Sequence, residues 1–325
     1  MTDAQRPPTY ELYGLRMRSE IPLAARASRA AEADVEIRAG ETLTGSPDPP
    51  IGRIVAQLVL GVRSGYTHVE TPSGDFLLRY EDVCDVALKA NRRAMRVHLA
   101  RGADPQMLPL ILAGNAVAFL LTVAGECPLH ASAVAVDGSA VAFAAGAGGG
   151  KSTLAALLCA SGATFVTDDL LRFQEIDGEF RCLAGPPQVR LRPNAAALVA
   201  SLSASAVERT VDARIAVRLR APPLGTQPAL VAIVIPRPDR VQRTLSVERL
   251  SPPQALLALL RSPRVTGLQD EELRRRQFDG LARVARVVPV FEARVPWGPP
   301  FAPELAAALC EAVGLRLASR ARIAV

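Results

Sequence analysis

Three groups of residues in this 325-residue chain have types and spacing suited to one chemistry. The first is the run Gly146-Ala147-Gly148-Gly149-Gly150-Lys151-Ser152-Thr153. Successive backbone N–H groups in such a loop form a concave nest for phosphate oxygens, and the positive end of a following helix adds to it. Lys151 would set an ammonium against the β- and γ-phosphates of a nucleotide, and Ser152, with Thr153 behind it, a hydroxyl against Mg²⁺. The second group is Asp168-Asp169. Adjacent carboxylates at a strand end point to opposite sides, so one can reach Mg²⁺ while the other takes a proton from an attacking hydroxyl. The third is His130, in Leu129-His130-Ala131-Ser132-Ala133-Val134. The strict pattern G-x-x-x-x-G-K-[ST] asks for glycine at position 145, where this chain has Ala145. A Gly/Ala-rich linker is the plain alternative for the loop, and a turn or cap is the alternative for the aspartates.

The elements around these residues decide between the readings. Residues 128–136 alternate as a strand, Asp137-Gly138 is a hairpin turn signal, and 139–144 is a second apolar strand. After the loop a helical pattern runs over 154–159 and stops at Ser161-Gly162; a strand at 164–166 then delivers the aspartates. Asp177-Gly178 marks another hairpin. The loop therefore sits between a strand and a helix, where a phosphate site needs it. Upstream, strand-like runs lie at 10–21, 34–38 and 75–80, with Ala- and Pro-rich connectors such as 46–50, and 82–100 reads as helical. His68 and His98 stand alone there and read as packing or surface residues. Downstream, 229–235 reads as a buried strand, and 252–260, 271–287 and 304–313 as helices. The run Arg274-Arg275-Arg276 follows Glu271 and Glu272 by one turn, which makes it a solvated helix face.

Composition bounds the rest. Apolar residues make up 49% and aromatics 4%, so the core is built from Ala, Leu and Val, and bulk disorder is excluded. At roughly 150 residues per domain the length accommodates two, divided here as an amino-terminal mixed α+β module at 1–104 and a catalytic domain at 105–325. The net charge is +6, yet Lys89 and Lys151 are the lysines among 38 basic residues. An arginine bias of this kind weakens any nucleic-acid argument, and the sparse aromatics weaken it further. It also gives weight to Lys151, because arginine replaces lysine almost anywhere except where a compact ammonium is needed. Five scattered cysteines without a CxxC pair argue against a disulfide framework or zinc site. Residues 1–8 show no secretory pattern, and the uncharged 105–125 stretch, broken by Pro109 and Gly114, reads as a buried helix rather than a membrane span. A cytoplasmic protein is expected.

Taken together, 129–134, the hairpin, 148–153 and 162–169 resemble the catalytic core of the HPr kinase/phosphorylase family, which shares its fold with phosphoenolpyruvate carboxykinase. The match covers about 128–173. The resemblance implies an α/β fold: a P-loop kinase core of that type, carrying the small mixed module. It also implies that Asp168 is the general base for an acceptor serine with His130 orienting it, that Asp169 and Ser152 serve Mg²⁺, and that Lys151 with the amides of 146–153 holds the phosphates of ATP. Arg190 and Arg192 offer a transition-state cation. The glycine-rich signature stretch that follows the core in HPr kinases is absent from this chain. It therefore looks more like the divergent relatives that accompany peptide-modification clusters, and a serine of a protein or precursor peptide is the implied acceptor. A homo-oligomer is compatible with this reading. A small-molecule kinase on the same core and a nucleotide-binding switch without transfer chemistry stand as alternatives, and ATP against GTP is left open.

Overall fold

Antiparallel hairpins and a few parallel crossovers build most of this protein, whose computed structural model describes residues 6–44, 50–60 and 63–317. The first five residues of the 1–8 stretch, and the 46–50 connector up to residue 49, lie outside the described residues. The chain divides into two compact units, 1–127 with 265–277, and 128–264 with 278–325. Both are mixed α/β. Among the described residues no helix is long and apolar enough to cross a membrane.

In the first unit the strands are β1 (Thr9–Leu12), β2 (Leu15–Ser19), β3 (Arg26–Ser28), β4 (Val35–Ala39), β5 (Arg53–Leu60), β6 (Arg63–Glu70), β7 (Phe76–Tyr80), β8 (Cys84–Leu88) and β9 (Ala94–Leu99). They form one mixed sheet in the order β3-β1-β2-β4-β9-β8-β7-β6-β5. The expected helix over 82–100 is thus a hairpin, β8–β9. Met95 and Val97 are buried with exposed Arg96 between them, a period of two that the neighbouring charges obscure. One of those charges is largely withdrawn from solvent: Asp85 is buried against Arg79 across the β7–β8 pair. The apolar stretch at 105–125 does form helix, α1 (Met107–Ile111), a π-helical turn at Leu112–Ala116, and α2 (Val117–Val123). It lies with the first unit, where Phe119 meets His68 edge-on at 4.7 Å and Phe76 at 5.5 Å.

His68 is enclosed by this aromatic group, stacked on Tyr66 at 4.4 Å, with neither ring nitrogen hydrogen-bonded. Burial pushes its pKa down to about 3. The unfolded chain binds a proton at His68 below about 6.5 and the folded chain does not, so this residue's contribution to stability is whole above that pH. It falls by up to ~1.4 kcal/mol per pH unit as pH drops from about 6.5 towards 3. Urea midpoints at pH 7 and pH 5 should therefore lie closer together for His68→Phe than for the natural protein. An unchanged gap would show that His68 does not titrate as its burial requires.

The second unit holds the candidate chemistry. Its main sheet contains β10 (Ala131–Val136), β11 (Ser139–Ala144), β12 (Thr164–Thr167), β13 (Arg172–Ile176) and β14 (Glu179–Leu183). A smaller three-stranded sheet, order β15-β17-β16, is built from β15 (Gln188–Leu191), β16 (Ala206–Arg209) and β17 (Ile215–Arg218). The main sheet is completed by β18 (Ala229–Asp239), β19 (Ser246–Arg249) and β20 (Val290–Pro296). Its order is β12-β10-β11-β18-β14-β13, with β20 on β18 and β19 on β20. Strand β11 pairs parallel with β18, and β18 parallel with β20; β10, β11 and β12 pair antiparallel. Both expected hairpin turns are present, with Asp137 (φ 47°) and Gly138 (φ 80°) between β10 and β11, and Asp177 (φ 53°) and Gly178 (φ 81°) between β13 and β14. Positive φ at both central residues matches the strand twist, and Asp-Gly supplies it at least cost.

Helix α3 (Lys151–Ala160) follows the glycine-rich loop. Leu154 and Leu158 pack on Val134, Phe143 and Val234 of the main sheet, while Ala156 packs on Val189, Leu191 and Val217 of the smaller one. Burying each leucine stabilises the unit by about 1.5–3 kcal/mol. The helix is thereby clamped between two sheets, and its amino terminus is held in a fixed place. Helices α4 (Pro252–Leu259), α5 (Glu271–Val287) and α6 (Leu305–Ala312) form close to their expected bounds. Arg275 and Arg276 bond to Glu272 on the exposed face of α5, as the charge pattern indicates.

Candidate functional site

The loop between β11 and α3 is shaped by two left-handed glycines, Gly148 (φ 83°) and Gly150 (φ 85°). A Cβ at Gly150 would stand 2.4 Å from the Trp297 ring, and one at Gly149 would stand 2.5 Å from the Cβ of Ala145. Glycine at 150 is therefore a packing requirement as well as a conformational one, and at 149 a packing requirement. Around a Gly146 Cβ there would be nothing within 4 Å, so the loop is open on that side. Lys151 is buried and donates from Nζ to the Gly146 carbonyl at 3.0 Å, across its own loop. Burial lowers its pKa to about 8, although Asp168 and Asp169 pull it back up.

The two aspartates do occupy different surroundings, but with partners exchanged relative to the expectation. Asp168 is buried and accepts three bonds: Oδ1 from Ser152 Oγ at 2.7 Å and from Ser132 Oγ, and Oδ2 from the Arg190 N–H at 2.9 Å. Asp169 Oδ1 lies 3.2 Å from His130 Nε2, and its Oδ2 accepts from Arg264 Nη2 at 2.8 Å. His130 thus pairs with Asp169, not with Asp168, and Ser152 with Asp168, not with Asp169. The cause is local. Ala133 pairs with Thr167 and Leu129 bridges to Leu171, a register that puts Ser132 opposite Asp168. Strict alternation would then send Asp169 to the far face from His130. Asp169 instead adopts φ 71°, a left-handed conformation that aspartate tolerates, and turns its carboxylate over to the histidine.

Electrostatics sharpen the distinction. Burial alone would raise the pKa of Asp169, yet Arg264 and His130 hold it well below the usual carboxylate range. Burial lowers the pKa of His130, against an opposing pull from Asp169, so the ring is neutral at pH 7. Since a carboxylate only accepts, the neutral ring donates from Nε2. Arg264 reaches this place because the chain before it is tied to the start of β10: the His130 N–H donates to the Ser262 carbonyl at 2.8 Å, and the Arg264 N–H to the Pro128 carbonyl at 3.0 Å.

A cleft of about 180 Å³ opens over these groups. His130, Lys151, Ser152, Thr153 and Asp169 line one part of it, and Arg190, Arg192, Arg214 and Trp297 another. The Arg192 guanidinium approaches to 3.5 Å of where a Gly148 Cβ would stand. Arg190 and Arg214 both pair with Asp212, the latter at 3.4 Å. Cations outnumber carboxylates, which suits a polyanion. Among the described residues no three His, Cys, Asp or Glu side chains are grouped to hold a metal by themselves. The Ser152 hydroxyl and Asp168 carboxylate, 2.7 Å apart at the helix start, are instead the kind of oxygen pair that holds Mg²⁺ shared with phosphate oxygens.

Of the residues singled out from sequence, His130, Ala147, Gly148, Gly150, Lys151, Ser152, Thr153, Asp169, Arg190 and Arg192 line this one cleft, and Gly146, Gly149 and Asp168 lie immediately behind it. Sequence reasoning missed Ser132, Asp212, Arg214, Arg264 and Trp297. Ser132 stood within the quoted histidine strand. The single Trp of the chain was a signal available from composition, whereas nothing distinguishes Arg264 from the other arginines.

No protein-family model matches the chain, and no curated protein matches it. Among solved structures it is similar to the Hpr(Ser) kinase/phosphatase from Coxiella burnetii, over 57% of this chain and 93% of that one, at 14% identity and a TM-score of 0.27. That is a distant relation at most.

Proposed function

We propose that the second unit is a phosphotransferase with a P-loop core that moves the γ-phosphoryl group of ATP, with Mg²⁺, to a serine hydroxyl of a protein or peptide. The observation that carries this reading is the separation of two neighbouring carboxylates. Asp168 is bound to Ser152, the second residue of α3, and Asp169 lines the cleft and pairs with His130 and Arg264. The amides of 146–153 and the Lys151 ammonium hold the phosphates, and Arg192 stands against the same loop. Ser152 and Asp168 would hold Mg²⁺, which when bound neutralises charge shared between the β- and γ-phosphates.

Asp169 then takes the part of the base, in place of Asp168. It orients the acceptor hydroxyl and receives its proton, while the neutral His130 ring fixes the carboxylate by donating to Oδ1. A weakly basic carboxylate suffices, because in a loose transition state positioning and charge neutralisation supply most of the rate. With γ-labelled ATP, Mg²⁺ and fractionated extract of the native host, label should appear as an acid-stable phosphate ester on serine. Label confined to small molecules would transfer the proposal to a small-molecule acceptor, and no label anywhere would refute phosphotransfer.

The low pKa of Lys151 has its own consequence. Its charged form, which phosphate binding requires, predominates below about pH 8. Tripolyphosphate affinity should therefore hold up to that pH and weaken above it by up to about tenfold per unit, as measured by calorimetry at pH 7 and pH 9. A flat profile would mean that this ammonium does not contact the phosphates.

A further inference from the structure

Resting on the reading of the glycine-rich loop as a phosphate site, we infer that Trp297, buttressed by Phe301, is a stacking wall for the nucleobase, and that this wall accepts adenine and guanine alike. Trp297 is the sole tryptophan in a chain whose aromatic content is 4%. It follows directly on β20, and its N–H donates to the Asp239 carbonyl at 2.9 Å, at the end of neighbouring β18. Strand β18 also pairs with β11, which delivers the loop, so one rigid sheet sets both the phosphate nest and the indole. Phe301 meets the indole edge-on, centroids 5.3 Å apart, and both rings line the cleft. The indole packs against Gly150, the residue just before Lys151, and the absence of a side chain there is what lets it come so close. A flat apolar surface one residue from the phosphate-binding lysine is complementary to the flat apolar part of a nucleotide. From Trp297 to Phe301 the chain runs through Gly298, Pro299 and Pro300, so the indole N–H is the polar side-chain group this wall contributes. Such a wall reads the π-face that every base has and not the pattern of its edge.

The test is calorimetric binding of ATP, GTP and inorganic tripolyphosphate, with Mg²⁺, to the natural protein and to Trp297→Leu and Trp297→Phe. ATP and GTP should bind the natural protein within about threefold of each other and lose about tenfold or more in Trp297→Leu. Tripolyphosphate should be unaffected, and Trp297→Phe should recover most of the nucleotide affinity. Because the indole also touches the loop, the tripolyphosphate arm separates the two roles. Parallel losses of tripolyphosphate and nucleotide would make Trp297 a prop for the loop and overturn the inference, as would ATP binding indifferent to Trp297→Leu or strong preference for one purine. If the natural protein binds none of the three, the phosphate reading falls and this inference falls with it. If tripolyphosphate binds normally and the Trp297 variants change nothing, this inference alone falls.

Discussion

Asp169→Asn should lower phosphoryl transfer by about 10²–10⁴-fold, the range typical of removing a positioned acid or base, while ATP and Mg²⁺ still bind within a few fold. The amide keeps the size of the carboxylate and can still accept from Arg264 or His130. It cannot take a proton from an acceptor hydroxyl. It also leaves Arg264 without its counter-charge in a part-buried site, where the guanidinium Nε already has no hydrogen-bond partner. Thermal melts of the variant therefore belong beside the rate measurements. His130→Gln should cost less than Asp169→Asn, because the ring acts on the carboxylate and the carboxylate on the substrate. Equal rates for Asp169→Asn and the natural protein would remove the proposed base.

Asp85→Ala carries the largest expected loss of stability, about 3–5 kcal/mol. Asp85 accepts from Arg79 Nε at 2.9 Å and from Nη2 at 2.8 Å, and both side chains are less than a tenth exposed. Their residues face each other directly across β7 and β8. Taking away the carboxylate removes the two charge-assisted bonds that offset most of the desolvation of a buried guanidinium. Replacing both residues, as in Arg79→Leu with Asp85→Val, should recover most of the loss. Circular dichroism through a urea titration measures this, since the single tryptophan belongs to the other unit. A loss under about 1 kcal/mol for Asp85→Ala would place the pair in the class of solvated surface bridges.

The parts of the fold that the sequence discloses are those governed by local rules. Asp137-Gly138 and Asp177-Gly178 can satisfy two positive φ values in a row, and they do so as hairpin turns. The 271–287 helix follows from the spacing of Leu281, Val284 and Ala285 against a charged face. The run 145–153 shows itself because few other sequences place so many glycines between an apolar strand and a helix. The parts that stay hidden depend on partners far away along the chain. Residues 84–99 look helical while Asp85 is counted as a surface charge, and they read as strands once Arg79 is known to bury it. The pairing of His130 turns on one left-handed residue, Asp169, whose φ no pattern of side chains announces. Arg264 comes to Asp169 from 95 positions away through backbone bonds at Ser262 and Pro128. That the loop and the paired aspartates come together at one cleft was therefore legible in the sequence, and which aspartate meets Ser152 and which meets His130 was not.

That division is tested most directly by a matched pair, Asp168→Asn and Asp169→Asn, measured for the Mg²⁺ dependence of ATP affinity and for single-turnover transfer of labelled phosphate. If Asp168 with Ser152 holds the metal and Asp169 serves the acceptor, Asp168→Asn loses the Mg²⁺ dependence of binding together with transfer. Asp169→Asn keeps the Mg²⁺ dependence and loses transfer alone. The reverse pattern would restore the assignment expected from sequence, and transfer by both variants at the natural rate would contradict a phosphotransfer centre at this cleft.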